Sequence, residues 1–201
     1  MNKIITIGRE FGSGGRELGR KLAEILGFEF YDKEIVTEIA KKTSLSENYV
    51  HQVVEKNPHD LFPITVAHTF SYIDAYALQQ KQAVYTEQEN VIKEMAENSD
   101  CIIVGRCADY ILRDHKPLRI FVYSDMDSKV KRCIERNSEH DLTEKKVKKY
   151  IKNVNKARGK YYHFYTGKKW SDKHNYDIMV NTTGMNIEHL AHSIAALIKA
   201  D

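Results

Sequence analysis

A glycine-rich turn near the N-terminus constrains the fold of this chain more than any other part of the sequence. Residues 3–7 form a short run rich in β-branched side chains, which predicts a strand. A helix with one apolar face is predicted from near Arg16 to Gly27, and residues 28–31 predict a second strand. The start of the chain therefore predicts a strand–turn–helix–strand unit. The turn carries four glycines in eight residues: Gly8, Gly12, Gly14 and Gly15.

Glycines at such a turn let consecutive backbone N–H groups face one anion, because no Cβ blocks the approach. The start of the following helix adds about half a positive charge. A plain tight turn is the alternative interpretation, but a plain turn needs fewer glycines. The segment 8–17 therefore predicts a loop that binds the phosphates of a nucleotide. Its cofactor-binding residues are predicted to be Gly8, Arg9, Gly12, Ser13, Gly14, Gly15, Arg16 and Glu17.

This loop departs from the standard phosphate-loop pattern GxxxxGK[ST]. Gly15 stands where the lysine is expected, and Arg16 is predicted to supply the missing cation from one residue further on. Glu17 stands near the expected Ser or Thr, and its carboxylate is predicted to bind Mg²⁺ directly or through water. The pattern thus predicts a bound nucleotide and Mg²⁺.

The rest of the chain alternates between predicted strands and predicted helices. Strands are predicted at residues 101–104, 118–123 and 177–180, and a closing amphipathic helix at residues 187–198. Such alternation predicts an α/β fold in which helices cover both faces of a parallel sheet. The length of 201 residues suits one domain of this kind with an inserted substrate region or lid.

The stretch from residue 33 to residue 98 is predicted to be mostly helical. Ser44 and Glu47 have the spacing of a capping box, which predicts a helix start. Residues 65–83 are rich in Ala, Gln and Tyr, and they are predicted to pack against either the core of the domain or a second subunit. Homo-oligomer formation is therefore left open. A break between helices is predicted at Asn57, Pro58 and Pro63.

Composition and charge argue against several classes of partner. The net charge of +3 argues against nucleic acid, and four lysines within residues 145–149 are interpreted as the solvated side of a helix. Arg132 and Arg136 are also interpreted as a solvated basic face, with reach toward the phosphate loop as the alternative. No apolar stretch approaches the ~20 residues of a membrane helix, so no membrane partner is expected. Three cysteines without a CxxC pair predict free thiols and a cytoplasmic location.

Two sequence blocks are specific enough to indicate a family: residues 8–19 read GREFGSGGRELG and residues 30–34 read FYDKE. The chain resembles the cytidylate kinase-like family of bacterial P-loop proteins, which is itself similar to the bacterial cytidylate kinases. The resemblance implies a three-layer α/β/α P-loop nucleoside-triphosphate-hydrolase fold, with a helical acceptor-binding region at residues 33–98 and a lid at residues 137–170. It covers nearly the whole chain and continues at Gly105, Arg106, Arg158, residues 165–167, Trp170 and residues 175–177.

The same resemblance implies roles for residues outside the phosphate loop. Arg106 matches an arginine that binds the nucleoside monophosphate, and Asp32 matches the acid after the second strand. Asn155 and Arg158 match an Asp-x-x-Arg pair of the lid that contacts sugar and phosphates. The implied substrate-binding residues are therefore Asp32, Arg106, Asn155 and Arg158. The residues implied to lie beside the nucleotide base are Asn181 and Thr182. The predicted catalytic residues, which stabilise charge on the transferred phosphate, are Arg16, Arg106 and Arg158.

The leading hypothesis is an ATP-dependent kinase of the nucleoside monophosphate type, which moves the γ-phosphate to a small acceptor such as CMP or dCMP. Two alternatives stay open: a nucleotide-binding protein without catalysis, and a kinase that acts on another small metabolite. The substitutions that favour a non-catalytic protein are Gly15, Glu17, Cys107 and Asn155.

Overall fold

The computed structural model describes residues 2–50, 72–136 and 143–200. The strands are β1 (Ile4–Arg9), β2 (Glu29–Tyr31), β3 (Cys101–Val104), β4 (Leu118–Tyr123) and β5 (Ile178–Asn181). The helices are α1 (Gly15–Leu26), α2 (Glu34–Thr43), α3 (Tyr72–Asn98), α4 (Ala108–Ile111), α5 (Met126–Arg136), α6 (Glu144–Thr166) and α7 (Ile187–Ala200). Residues 47–50 are also helical, and two short 3-10 helices lie at Arg113–His115 and Lys173–Asn175.

The five strands form one parallel sheet in the order β2-β3-β1-β4-β5. The central strand β1 pairs with β3 on one side and with β4 on the other, so that Ile7 lies beside Val104 and Ile120. Because parallel strands end at the same edge of a sheet, the loops after β1, β3 and β4 lie together. The predicted parallel α/β sheet is confirmed, and its carboxyl edge is where the glycine turn and Arg106 meet.

Helices cover both faces of the sheet, and each face has its own apolar core. On one face α1 packs against β1 and α7 packs against α1, and the buried side chains there include Ile5, Leu22 and Ile194. On the other face α2, α3 and α4 bury residues such as Ile39 and Ile103. Each fully buried side chain of this size stabilises the fold by about 2 kcal/mol. A rigid base therefore lies behind the loops at the carboxyl edge.

The predicted capping box is wrong by two residues. Ser44 has a φ of 56° and ends α2, and its N–H donates to the carbonyl oxygens of Ala40 and Lys41. An N-cap residue needs an extended backbone, so a left-handed Ser44 does not cap the next helix. Ser46 takes that role, since its hydroxyl accepts from the N–H of Tyr49 at 3.3 Å.

Most other predicted elements match the structure closely. The strands at residues 101–104 and 118–123 have the predicted bounds, and α1 ends at Gly27, which has a φ of 72°. Asn57, Pro58, Pro63, residues 65–71 and the first part of the predicted lid, up to residue 142, lie outside the described residues. In the part of the chain that the structure describes, no helix has the length and apolar character needed to cross a membrane.

Candidate functional site

The glycine turn forms an open cradle at the N-terminus of α1. Gly12 and Gly14 have φ angles of 79° and 83°, which residues other than glycine rarely adopt. A Cβ on Gly14 would lie 2.9 Å from Ile187 Cδ1, and one on Gly12 would lie 3.0 Å from the carbonyl oxygen of Lys129. The N-cap residue Gly14 has no side chain that could cap this end of α1. The first N–H groups of a helix have no partner within the helix itself. The cradle therefore fits phosphate groups.

Side-chain hydrogen bonds hold this turn in place. The Thr182 hydroxyl is fully buried and donates to the carbonyl oxygen of Ser13 at 2.7 Å, while the Ser13 hydroxyl donates to the carbonyl oxygen of Glu10 at 2.8 Å. The Glu10 carboxylate accepts from Lys129 at 2.7 Å, and only 7% of the Lys129 side chain is exposed. Thr182 thus supports the loop, whereas Asn181 binds the backbone N–H of Thr183. Their predicted place beside the base stays a prediction.

A cavity of about 160 Å³ lies beside the turn and is strongly basic. The Arg132 guanidinium donates to the carbonyl oxygen of Thr182 and to the Ser124 hydroxyl, and burial together with the nearby Arg136 lowers its pKa. Arg132 therefore points toward the phosphate loop, and its predicted place on a solvated helix face is wrong. The arginines that line the cavity are Arg9, Arg16, Arg132, Arg136 and Arg158.

Asp32, which follows β2, forms ion pairs with two of these arginines. Its carboxylate accepts from Arg16 Nε and lies 3.6 Å from Arg9 Nη2. The Asp32 side chain is only 8% exposed, while 55% of Arg16 faces solvent. The structure thus brings two predicted site residues, Asp32 and Arg16, into direct contact.

A second, smaller cavity of about 40 Å³ lies at the end of β3. Arg106 and Cys107 follow Gly105 there with φ angles of 56° and 55°, a conformation that costs energy in residues with side chains. The carbonyl oxygen of Arg106 accepts from the amide of Gln88 at 3.0 Å, and Gln88 is fully buried. The lining residues are Gly8, Arg9, Gly105, Arg106, Cys107, Asp109, Arg158, Tyr161, Tyr162 and Trp170.

Two ionisable groups in this second cavity are shifted by burial. Burial raises the pKa of the Asp109 carboxyl, although the hydroxyl of Tyr162 donates to it at 2.6 Å and opposes the shift. Burial also raises the pKa of the Cys107 thiol well above its ordinary value. A protonated thiol is a poor nucleophile, so Cys107 is a packing residue rather than a reactive one.

Helix α6 binds directly to the phosphate loop through two predicted residues. The Asn155 side-chain oxygen accepts from the N–H of Phe11 at 2.7 Å. Arg158 donates to the carbonyl oxygen of Arg9 at 3.1 Å, and its guanidinium lies 5.7 Å from the centre of the Phe11 ring. The described part of the predicted lid therefore contacts the loop at both Asn155 and Arg158.

A metal ion would find few protein ligands near the loop. The described residues contain no group of three or more His, Cys, Asp or Glu side chains that could hold a metal. Glu17 lies at the start of α1 and pairs with Arg136. Mg²⁺ often binds through one carboxylate together with nucleotide phosphates and waters, which is compatible with Glu17 alone. Its role in binding Mg²⁺ stays a prediction.

Sequence reasoning missed Lys129 and Gln88. Both lie on helices in which charged and polar residues are common, so no local pattern sets them apart. Their burial is the signal, since only 6% of Lys129 and none of Gln88 is exposed, and burial depends on the packed fold.

Comparison with known proteins places the fold of this chain in a class. The chain is 29% identical to an uncharacterized protein from Eubacterium ventriosum, with full coverage of both chains and a TM-score of 0.72. It is also similar in shape to shikimate kinases from Acinetobacter baumannii, in complex with shikimate, and from Bacteroides thetaiotaomicron. The Acinetobacter enzyme is 17% identical with a TM-score of 0.54 and coverage of 100% and 94%. The Bacteroides enzyme is 14% identical with a TM-score of 0.56 and coverage of 98% of each chain. No curated protein matched the sequence.

The sheet order, the glycine cradle and these similarities define a protein with the P-loop kinase fold. The model of the cytidylate kinase-like family matches residues 4–184. The chain belongs to the cytidylate kinase-like family, and the predicted resemblance is confirmed. Family and fold together support a P-loop phosphotransferase.

Proposed function

We propose that this chain transfers the γ-phosphoryl group of ATP to a nucleoside monophosphate, with CMP and dCMP as the first candidates. The observation that carries the proposal is a pair of cavities that share two arginines. One cavity lies beside the phosphate loop and the other beside Arg106, and both are lined by Arg9 and Arg158. A donor phosphate in the first and an acceptor phosphate in the second would meet at these guanidinium groups.

The reaction requires alignment and positive charge more than covalent chemistry. An oxygen of the acceptor phosphate attacks the γ-phosphorus, and the bond from that phosphorus to the bridging oxygen of ADP breaks. The acceptor is a phosphate dianion, so the step needs no proton transfer. Negative charge spreads over the transferred group, and arginines placed around it stabilise that charge. The catalytic residues in this proposal are Arg16, Arg106 and Arg158.

The remaining assignments concern binding. The backbone N–H groups of the glycine turn bind the ATP phosphates, and Asn181 and Thr182 lie beside the base. Glu17 is the residue proposed to hold Mg²⁺, which would neutralise negative charge on the nucleotide phosphates. Asp32 and Asn155 complete the acceptor side, where Asp32 orients Arg9 and Arg16.

The proposal is tested by incubating the purified chain with Mg²⁺-ATP and one acceptor at a time, and by following ADP release. The acceptors are CMP, dCMP, UMP, AMP, GMP and shikimate, with a reaction that lacks acceptor as the blank. Acceptor-dependent ADP with a single monophosphate supports the proposal. Turnover with shikimate alone would show that the acceptor is not a nucleoside monophosphate. No turnover with any acceptor would favour a nucleotide-binding protein without catalysis.

Variants then test the residue assignments. Arg106→Ala is expected to lower kcat/KM about a hundredfold, a typical effect of removing one group that stabilises transition-state charge. Arg20→Ala is the matched control, because Arg20 lies on α1 with 57% of its side chain exposed and lines neither cavity. Equal activity of the two variants would contradict the role of Arg106.

A further inference from the structure

The place of the missing lysine is occupied by another side chain. A Cβ built on Gly15 would lie 2.6 Å from Arg9 Cβ and 3.2 Å from Arg9 Cγ. Gly15 itself does not have a left-handed φ, so its backbone would accept another residue. The obstacle to a side chain at position 15 is therefore chiefly Arg9, with a lesser contact of 3.1 Å to Val122 Cβ.

A second glycine makes room for the other end of the same side chain. Gly105 follows β3 with a φ of 78°. A Cβ on Gly105 would lie 1.7 Å from Arg9 Nη1 and 2.8 Å from Arg9 Cζ, a separation that atoms do not tolerate. Two glycines that are far apart in sequence thus lie against the base and the tip of Arg9.

Arg9 is shared by the two cavities. Arg9 lines the loop cavity and the cavity beside Arg106, whereas Arg16 lines only the first of these. The Arg9 side chain is 13% exposed and its guanidinium is oriented by Asp32 at 3.6 Å. Arg16 is 55% exposed, and its Nε is directed to the same carboxylate. Arg9 is therefore the more buried and the more central of the two cations.

We propose that Arg9 takes over the role that lysine has in the standard phosphate loop, and that its guanidinium binds the terminal phosphates of the donor nucleotide at the boundary with the acceptor cavity. A lysine in that motif reaches the β- and γ-phosphates. A guanidinium has five N–H donors in a flat fork, so Arg9 has enough donors to bind the β- and γ-phosphates of the donor nucleotide together. The inference rests on the ATP site of the proposed function, and it gives the lysine's role to a residue of the loop other than Arg16.

The test moves the cationic side chain from position 9 to position 15. Affinity for Mg²⁺-ATP and for AMP is measured by calorimetry for the wild type, Arg9→Ala, Arg9→Lys, Arg9→Gly, Gly15→Lys and the double variant Arg9→Gly/Gly15→Lys. Thermal unfolding of each variant shows whether it is folded, and Arg20→Ala is the matched arginine control. Binding rather than turnover is the readout, so the test does not depend on the identity of the acceptor.

Arg9→Ala is expected to weaken ATP binding by about tenfold to a hundredfold, the effect of losing one charged hydrogen-bond donor, and to leave AMP binding nearly unchanged. Arg9→Lys should keep most of the affinity. Gly15→Lys should weaken ATP binding in the wild type because its Cβ collides with Arg9 Cβ, but should strengthen it about tenfold in the Arg9→Gly background, where that Cβ is absent. This reversal of sign is the expected signature of one cation replacing the other.

Three outcomes would overturn the inference. ATP affinity of Arg9→Ala equal to that of the wild type would do so and would leave the proposed function intact. An equal loss of ATP and AMP affinity would show a general structural effect, as would a lysine at position 15 that is equally harmful in both backgrounds. A wild type that does not bind Mg²⁺-ATP would instead remove the proposed function, and the role of Arg9 with it.

Discussion

Glu10, a residue of the phosphate loop, forms an ion pair with Lys129 of α5. Lys129 is 7% exposed and Glu10 is 25% exposed, and the two side chains meet at 2.7 Å. Glu10→Gln removes the negative partner and leaves a buried ammonium group with a weaker acceptor. The variant is expected to lower the free energy of unfolding by about 2 kcal/mol, because a buried charge without its full partner is costly. Urea unfolding followed by circular dichroism measures this change.

The matched control for Glu10 lies on the surface. Lys41 and Glu38 also pair at 2.6 Å, but their side chains are 66% and 39% exposed. Glu38→Gln is expected to change stability by less than about 0.5 kcal/mol, since exposed ion pairs are screened by water. If both glutamines cost the same, burial of Lys129 is not what stabilises the loop.

Gly14 combines a left-handed backbone with a close contact, and the two effects can be separated by a second glycine. Gly14→Ala places a Cβ at 2.9 Å from Ile187 Cδ1, while Gly27, with a φ of 72°, has open space around it. Gly27→Ala should cost about 1 kcal/mol from backbone strain alone. Gly14→Ala should cost more and should also weaken Mg²⁺-ATP binding. Thermal unfolding and calorimetry measure both, and identical behaviour of the two variants would contradict a special role for Gly14.

At the residue scale, the sequence predicts where the backbone adopts a conformation that requires glycine, but it predicts the direction of a side chain less well. Clustered glycines indicate the cradle because only glycine lacks a Cβ, and this physical requirement is visible in the sequence. The course of Arg9 is not predictable in the same way. It depends on Gly15 and Gly105, which become its neighbours only when β1 and β3 pair.

At the element scale, β4 and β5 are joined by a bidentate ion pair at their amino ends. One Asp177 oxygen accepts from the backbone N–H of Arg119 at 2.8 Å and the other accepts from Nη2 at 2.6 Å. These hydrogen bonds hold the pKa of the Asp177 carboxyl below its usual range. The bridge therefore secures the edge strand β5 to the sheet.

This pair gives the stability of the fold a dependence on pH. Because the pKa of Asp177 is lower in the folded chain than in the unfolded chain, its contribution is present above about pH 4 and is lost as the pH falls further. Asp177→Asn should remove it, with a loss below about 1 kcal/mol because both side chains are about a third exposed. Urea unfolding of both proteins between about pH 3 and pH 7 should show a difference that shrinks toward acid. A difference that is constant with pH would contradict this assignment.

Elements are predictable where a local pattern decides them. The apolar runs of β3 and β4 match their predicted bounds because strands buried on both faces need continuous apolar sequence. The start of the helix after α2 was misplaced because Ser44 and Ser46 offer similar hydroxyl groups. Only the left-handed backbone of Ser44 distinguishes them, and that conformation follows from how α2 ends.

At the scale of the whole molecule, the parallel sheet explains why distant residues form one site. β1, β3 and β4 are neighbours, so the glycine turn, Arg106 and the start of α5 meet at one edge. Alternating strands and helices predict that edge, but not how many arginines gather there. Arg132 and Arg136 join the loop cavity because α5 packs beside the loop, which only the three-dimensional arrangement decides.

The collected charge of this edge predicts how salt affects nucleotide binding. Five arginines line the loop cavity on a chain whose net charge is +3, so a polyanion is attracted by several charges at once. The dissociation constant of Mg²⁺-ATP is expected to rise at least about tenfold between ~0.1 M and ~1 M NaCl, over which the Debye length falls from about 10 Å to about 3 Å. AMP carries fewer charges and should show a shallower dependence.

Arg16→Ala should flatten the ATP curve, because the exposed guanidinium of Arg16 is open to screening by salt, while Arg20→Ala should leave the curve unchanged. Calorimetric titrations across the salt series measure the slopes, and equal slopes for ATP and AMP would mean that the arginines do not act on the terminal phosphates.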